Sequence, residues 1–359
     1  MDAEPRRKSG VLGHWPGLLL GGVSTAILAY FALRGVDVQE IWQHVKGADP
    51  RWTIAIAASS VLADLVRALR WGSLLGSVQG ISLGNRFRSV MIGSAGNHIL
   101  PLRLGEVLRV DSLARKRGLP FTTVFTTLVV ERVFDVVGIL LILAYCLALL
   151  PAARELSPAI MTAIRILAAG TILLIIAVVF SLLWRQRVVG WLDRLLVWMA
   201  SGRLARVVPQ THALLNGLRS LGSGRQILAV FAQTMLLWFC FGLSFACGLK
   251  SLGLDSGSPE ELIQATALIL VFVSIFTMVP AAVGMVGTFQ VGCIVALAVF
   301  GIPKDQALGF SIVVHSVQLV TSVIIGVPFL ISSFGGISDL FFVALRRSKE
   351  GQKLDPGSQ

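Results

Sequence analysis

Apolar runs of bilayer-crossing length recur along this chain, separated by short polar pieces. They fall at 17–34, 52–75, 121–150, 160–184, 226–250 and 307–334, each near or above the ~20 apolar residues that a helical crossing needs. Two further apolar stretches are broken. Residues 85–101 are short, opened by Arg86 and Arg88 and closed by Pro101. Residues 262–279 and 287–300 are two arms around Pro280 and Gly284. The pattern predicts an all-α, polytopic helical membrane protein with about eight transmembrane segments, some of them broken or re-entrant. Residues 1–16 and 336–359 read as cytoplasmic tails, and 17–335 as one integral membrane domain.

The basic residues refine that picture. They cluster at the N-terminus, at 102–118, in a loop at 185–225 and in the C-terminal tail. All four pieces fall on one side if 85–101 is a re-entrant hairpin, with both termini cytoplasmic by the positive-inside rule. The number of crossings is six if the 262–300 arms also form a hairpin. Both breaks contain Pro-x-x-x-Gly (Pro101 to Gly105, Pro280 to Gly284), and the halves then run in opposite directions. That arrangement predicts inverted repeats. Residues 35–51 read as a loop of mixed charge.

Composition narrows the function classes. The chain is 55% hydrophobic and 14% charged, with a formal net charge of +12. The excess is basic but sits between spans, so it points to anionic membrane lipids at the 185–225 loop and not to nucleic acid. Within that loop Trp191, Leu195 and Trp198 recur at helical spacing beside Arg187 and Arg194, the pattern of an interfacial helix. The four cysteines, Cys146, Cys240, Cys247 and Cys293, lie in apolar runs without a C-x-x-C pair and read as packing residues. No Walker loop, dinucleotide fingerprint, zincin or nucleophile-elbow motif is present, so no cofactor or metal is expected.

The candidate chemistry lies in residues 93–135. A break at Gly96, Asn97 and His98 is followed by Arg103, Glu106 and Arg109 at spacings of three, along one helix face. Glu131, Arg132 and Asp135 then fall inside an apolar run that starts at Phe121. At 1.5 Å per residue Glu131 lies roughly 15 Å into the span, where a charge costs about 2.5–3.5 kcal/mol. Arg132 and Asp135, one turn apart, can neutralise each other, as can Asp64 and Arg67. Arg70 is expected to snorkel towards an interface at Trp71. His315, three residues before Gln318, reads as a polar pair between packed helices. Arg103 and Arg109 offer guanidinium forks to a phosphate, with Glu106 between them holding both in orientation.

The run Asn97 to Arg109, N-x-x-x-P-x-R-x-G-E-x-x-R, followed by E-R-x-x-D from Glu131 to Asp135, resembles the lysylphosphatidylglycerol synthase transmembrane (flippase-like) family. A second stretch, Val279 to Gln290, resembles the family's later motif at Pro280, Gly284, Gly287, Thr288 and Phe289. Val283 stands there where a proline is usual, and Gln290 where an acid is usual. The resemblance implies an integral domain that moves a phospholipid or polyprenyl-linked lipid between leaflets of the inner membrane. The synthase reaction of that family belongs to a separate cytosolic domain, so this chain is expected to be a translocator and not an enzyme. The alternative is a membrane-embedded transferase, or a scaffold for one, acting on a lipid phosphate. A lipid-modifying enzyme and a second copy of the chain stand as further partners. The substrate-binding candidates are Asn97, Arg103, Glu106, Arg109, Glu131, Arg132, Asp135, Pro280, Gly284, Gly287 and Thr288.

Overall fold

The computed structural model describes residues 38–76, 80–100, 103–149, 224–255, 257–278 and 284–334, together with Ile27, Tyr30 and Arg34. The predicted spans at 17–34 and 160–184, the 185–225 loop and both tails lie essentially outside the described residues, as does Pro280. The described residues form helices and no strand: α1 (Val38–Lys46), α2 (Pro50–Leu74), α3 (Leu83–Ile99), α4 (Gly105–Arg117), α5 (Phe121–Leu149), α6 (Gly224–Ser251), α7 (Pro259–Phe276), α8 (Thr288–Ala298) and α9 (Lys304–Phe334). The protein is all-α and polytopic. Helices α2, α6, α7 and α9 are long and apolar enough to cross a membrane. Their outward faces are apolar, with Ile54, Leu62, Leu228, Phe239 and Ile324 exposed, as lipid-facing positions require.

Helix starts follow the chain's local chemistry. Asp49 caps α2 by accepting the Arg51 amide, and Pro50 occupies the first helical position, where a missing N–H costs nothing. Ser82 and Ser258 cap α3 and α7 in the same way. Gly118, in the left-handed region at φ 62°, closes α4. Helix α1 is a departure from the sequence expectation of a loop at 35–51. Its nine residues mix charge with Trp42 and Val45, and Val45 packs on the core.

Two helical hairpins organise the fold. In the first, α4 folds back along α3, so that Gly93 and Gly96 lie against Gly105 and Arg109. In the second, α8 folds back along α7, with Gly292 against Val273. At 11 residues, or about 16 Å, α8 is too short to cross a hydrocarbon core of ~30 Å. The 262–300 arms therefore take the hairpin form. The two tips meet: the Gly284 position faces the His98 carbonyl, and the Arg103 guanidinium reaches Met285 Sδ at 3.7 Å.

The packing is that of two exchanged halves. Helix α2 packs on α6, its counterpart. Helix α9, which follows the second hairpin, packs on α3 of the first, and α5, which follows the first hairpin, packs on α7 of the second. The α2–α6 pair is antiparallel, since Thr53 meets Ser251 at one end while Arg70 meets Thr234 and Ser73 meets Gln226 towards the other. An antiparallel pair of counterpart helices, with tips meeting from opposite sides, is inverted-repeat geometry. One end of the molecule carries Arg86, Arg88, Arg115, Lys116, Arg117 and Arg225. The other carries Asp49, Asp255, Glu260, Glu261 and Asp305 among its basic residues.

Candidate functional site

The charges flagged in the sequence come together, with others, where α2, α4, α5 and α6 meet. Glu131 is fully buried on α5 and takes a two-pronged contact from Arg109 on α4, at 3.0 and 2.9 Å. Arg70 on α2, equally buried, meets the same carboxylate at 2.9 Å, bonds Asp135, and donates to Thr234 Oγ1 at 3.1 Å. Glu131 thus sits between two guanidiniums, and the triad ties three helices together. Trp71 closes it from above: the Arg109 guanidinium stacks 4.2 Å from its ring centroid, and its Nε1 donates to Thr127 at 2.9 Å.

A second layer, partly open, surrounds this triad. Arg132 bonds Glu106 at 2.8 Å and Asp135 at 3.3 Å, leaving 43% of its side chain exposed. Arg67 pairs with Asp64 at 3.1 Å, one turn apart as the sequence predicted, and Ser94 donates to the same carboxylate from α3. Asp64 is buried, so that arginine and serine compensate a charge that would otherwise be costly. The Arg67 guanidinium also lies over the Phe241 ring.

The tip residues differ from both layers. Arg103 lies outside α4, at φ 56°, and so is not on one helix face with Glu106 and Arg109. Its guanidinium is exposed and points across the junction to Met285. Glu106 does not hold both forks. It pairs with Arg132, and lies 3.8 Å from Arg109. Among the described residues Arg103 makes no ion pair within 4.0 Å. Asn97 faces Gly105 inside the hairpin, and its buried Oδ1 has no hydrogen-bond partner among the described residues. The tip lies one α4 length from the basic end, about 20 Å for thirteen residues.

The second break supplies a neutral counterpart. Gly284 and Gly287 take φ of 61° and 86°. Gln290 accepts the Gly287 amide at 2.7 Å and contacts His315 Nδ1 at 3.2 Å. Thr288 is fully buried, and its hydroxyl is spent on the Met285 carbonyl. His315 stacks on Phe289, with centroids 4.5 Å apart, and lies 6.0 Å from the His98 ring. Its side-chain partner is Gln290, and Gln318 donates instead to Ser244 on α6.

Arg70 is the main residue that sequence reasoning misplaced. It does not snorkel; it is fully buried at the centre of the cluster. The signal was present, since Asp64, Arg67 and Arg70 break an apolar run as Glu131 does. An apolar α6 with Thr234 beside it turns that face inward. The predicted Arg132–Asp135 pair is present, but each member also has a partner outside the pair. All four cysteines are buried and unpaired.

Comparison with known proteins agrees with this architecture. A family model described as the lysylphosphatidylglycerol synthase TM region matches residues 17–326. A protein named glycosyltransferase AglD, from Haloferax volcanii, is 29% identical over 129 residues, which are 34% of this chain and 19% of that protein. The match thus spans about a fifth of that relative's length. No solved structure matches the chain. The family match covers both hairpins and every helix of the charge cluster, and the chain therefore belongs to the lysylphosphatidylglycerol synthase transmembrane family.

Proposed function

We propose that this protein translocates a phospholipid or lipid-linked headgroup between leaflets of the inner membrane, through the junction of its two hairpins. The observation that carries the reading is a charged, partly open cluster near mid-depth, at the point where two re-entrant tips from opposite faces meet. Ionisable groups at that depth are costly, and by default they mark a pathway. Broken helices meeting at the midplane of an inverted repeat are where transporters bind their cargo. The more basic end is the cytoplasmic one, which sets the first hairpin entering from the cytoplasm and the second from outside. A transferase acting on a lipid phosphate is the other reading, prompted by the relative named a glycosyltransferase. It is less favoured because each carboxylate of the cluster already holds an arginine and none is poised as a free base.

The test is lipid movement in proteoliposomes, with fluorescent lipid in the inner leaflet protected from an external quencher. The purified protein should accelerate loss of that protection over empty vesicles. Glu106→Gln combined with Arg132→Gln removes an ion pair at the open rim without changing net charge. That variant should fold normally and fail to move lipid. Single cysteines at Lys116 and Ser258, labelled from outside intact cells, check the orientation: Ser258 should react and Lys116 should not. Lipid movement no faster than in empty vesicles, or wild-type rates in the double variant, sinks the proposal.

A further inference from the structure

The cluster does not balance its own charge. Asp64, Glu106, Glu131 and Asp135 each have an arginine partner, and those partners are Arg67, Arg70, Arg109 and Arg132. Among the described residues four carboxylates thus meet four guanidiniums, and Arg103 at the tip is left over. Arg103 is in electrostatic reach of Arg67, Glu106 and Arg132, and among the described residues its guanidinium hydrogen-bonds a thioether sulfur alone, a weak acceptor. One formal positive charge is therefore uncompensated near the bilayer midplane, in a medium that penalises it.

We propose that the hairpin junction binds one phosphodiester monoanion, carried on a lipid headgroup of net charge −1, with Arg103 as its direct partner and the exposed sides of Arg67 and Arg132 flanking it. The proposal rests on the translocation reading for its purpose, but its chemistry stands on the charge count. A headgroup of net charge −1 completes neutrality. A zwitterionic headgroup brings no net charge and leaves the excess in place, and a dianion overshoots.

Three further features fit the same ligand. Arg103 adopts a backbone conformation with φ 56°, which side-chain-bearing residues rarely take and which persists where surrounding structure enforces it. The consequence is a guanidinium projected off the end of α4 into the junction, with most of its five donors unspent. The N-terminus of α4 begins two residues later without a side-chain cap, and its partial positive charge favours an anion at the same place. Arg132 and Arg67, with side chains 43% and 22% exposed, each keep an open side while holding their carboxylates.

The experiment is equilibrium binding to the purified full chain in a non-ionic detergent, followed by calorimetry. The probes are dihexanoyl phosphatidylglycerol, dihexanoyl phosphatidylcholine, glycerol phosphate and inorganic phosphate. Phosphatidylglycerol should bind about tenfold or more tightly than phosphatidylcholine, because the choline cation restores the excess positive charge that the shared phosphodiester would neutralise. Arg103→Gln should remove that preference. It should not lower the thermal unfolding midpoint of the lipid-free protein, because Arg103 has no ion pair to lose among the described residues. Arg103→Lys keeps the charge and should keep the preference, at reduced affinity. Lys116→Gln, which removes a charge at the basic end, should leave binding unaltered. Equal binding of the two lipids, or undiminished preference in Arg103→Gln, overturns the site. Inorganic phosphate or glycerol phosphate binding as tightly as phosphatidylglycerol overturns its assignment to a lipid. Arg103-dependent binding in a protein that moves no lipid upholds the site and removes only the translocation reading. Lipid movement with binding indifferent to Arg103 removes the site alone.

Discussion

The two hairpins share a frame and differ in chemistry. Each has a longer first arm and a shorter second one, of 17 and 13 residues in the first and 18 and 11 in the second. Each places a glycine of its short arm, Gly105 or Gly292, against the backbone of its long arm. Each carries at its tip a non-glycine residue with positive φ, Arg103 or Met285, and these two touch. Yet the first short arm bears Glu106 and Arg109, whereas the second bears Phe289, Gln290 and Cys293. Close approach of small residues therefore builds the hairpins, and charge is added to the short arm of one of them only. Fold and candidate chemistry are separable here, and substitutions can test each without the other.

The largest effect is expected at the centre of the charged half. Glu131→Gln leaves Arg70 and Arg109 buried without their shared carboxylate. Breaking a buried pair from one side costs about 3–5 kcal/mol, since a charge is left uncompensated. Thermal unfolding in detergent should show a large drop in midpoint. Replacing all three, Arg70→Met, Glu131→Leu and Arg109→Met, should recover much of that loss, because apolar packing substitutes well for buried ion pairs. A single variant as stable as wild type would show that the triad does not hold α2, α4 and α5 together.

The frame is tested next, at the glycines. A Cβ on Gly105 would collide with the Gly93 carbonyl and with Asn97, none of which can move without opening the hairpin. A Cβ on Gly292 would lie 2.8 Å from Val273 Cα, again a backbone neighbour. Gly105→Ala and Gly292→Ala should therefore both destabilise, by about 1–3 kcal/mol, the range for overpacking. Gly84→Ala, on α3 with open space around the position, should be neutral or stabilising. Unfolding midpoints of the three variants check this. A second hairpin that tolerates Gly292→Ala would break the parallel between the two frames.

The sequence carried the frame further than it carried the contacts. Run lengths, the broken stretches and the opposed directions of the halves follow from hydrophobic periodicity and basic-residue placement, which act locally. The hairpin at 259–298 was legible as one of two options, because an arm of borderline length can cross or return. What was not legible depends on which helix faces which. Arg70 stands one residue before Trp71, an ordinary interfacial arrangement, until α5 and α6 surround it. Arg103 falls in register with Glu106 and Arg109, but the helix begins after it. Glu106 was assigned to its sequence neighbours, whereas its strongest partner, Arg132, is on another helix. Gln318 and His315 are one turn apart, yet each turns to a different neighbour.

The smallest effect belongs to the neutral half, and it decides whether that half is frame alone. Gln290 does two things: its Oε1 accepts the Gly287 amide, and its Nε2 meets His315. Gln290→Leu loses both, and should cost about 1 kcal/mol, the scale of a helix cap or one net hydrogen bond. If the second hairpin only supports the first, this variant should move lipid at the wild-type rate in proteoliposomes, unlike the double replacement of Glu106 and Arg132. If the junction works through both tips, transport should fall in Gln290→Leu despite a nearly unchanged unfolding midpoint. His98 and Gly284 touch across that junction, so a shift at Gln290 passes through Gly287 to the tip facing Arg103. A transport defect without a stability defect would therefore make the second hairpin a moving part and not a scaffold, although it contributes no charge to the site.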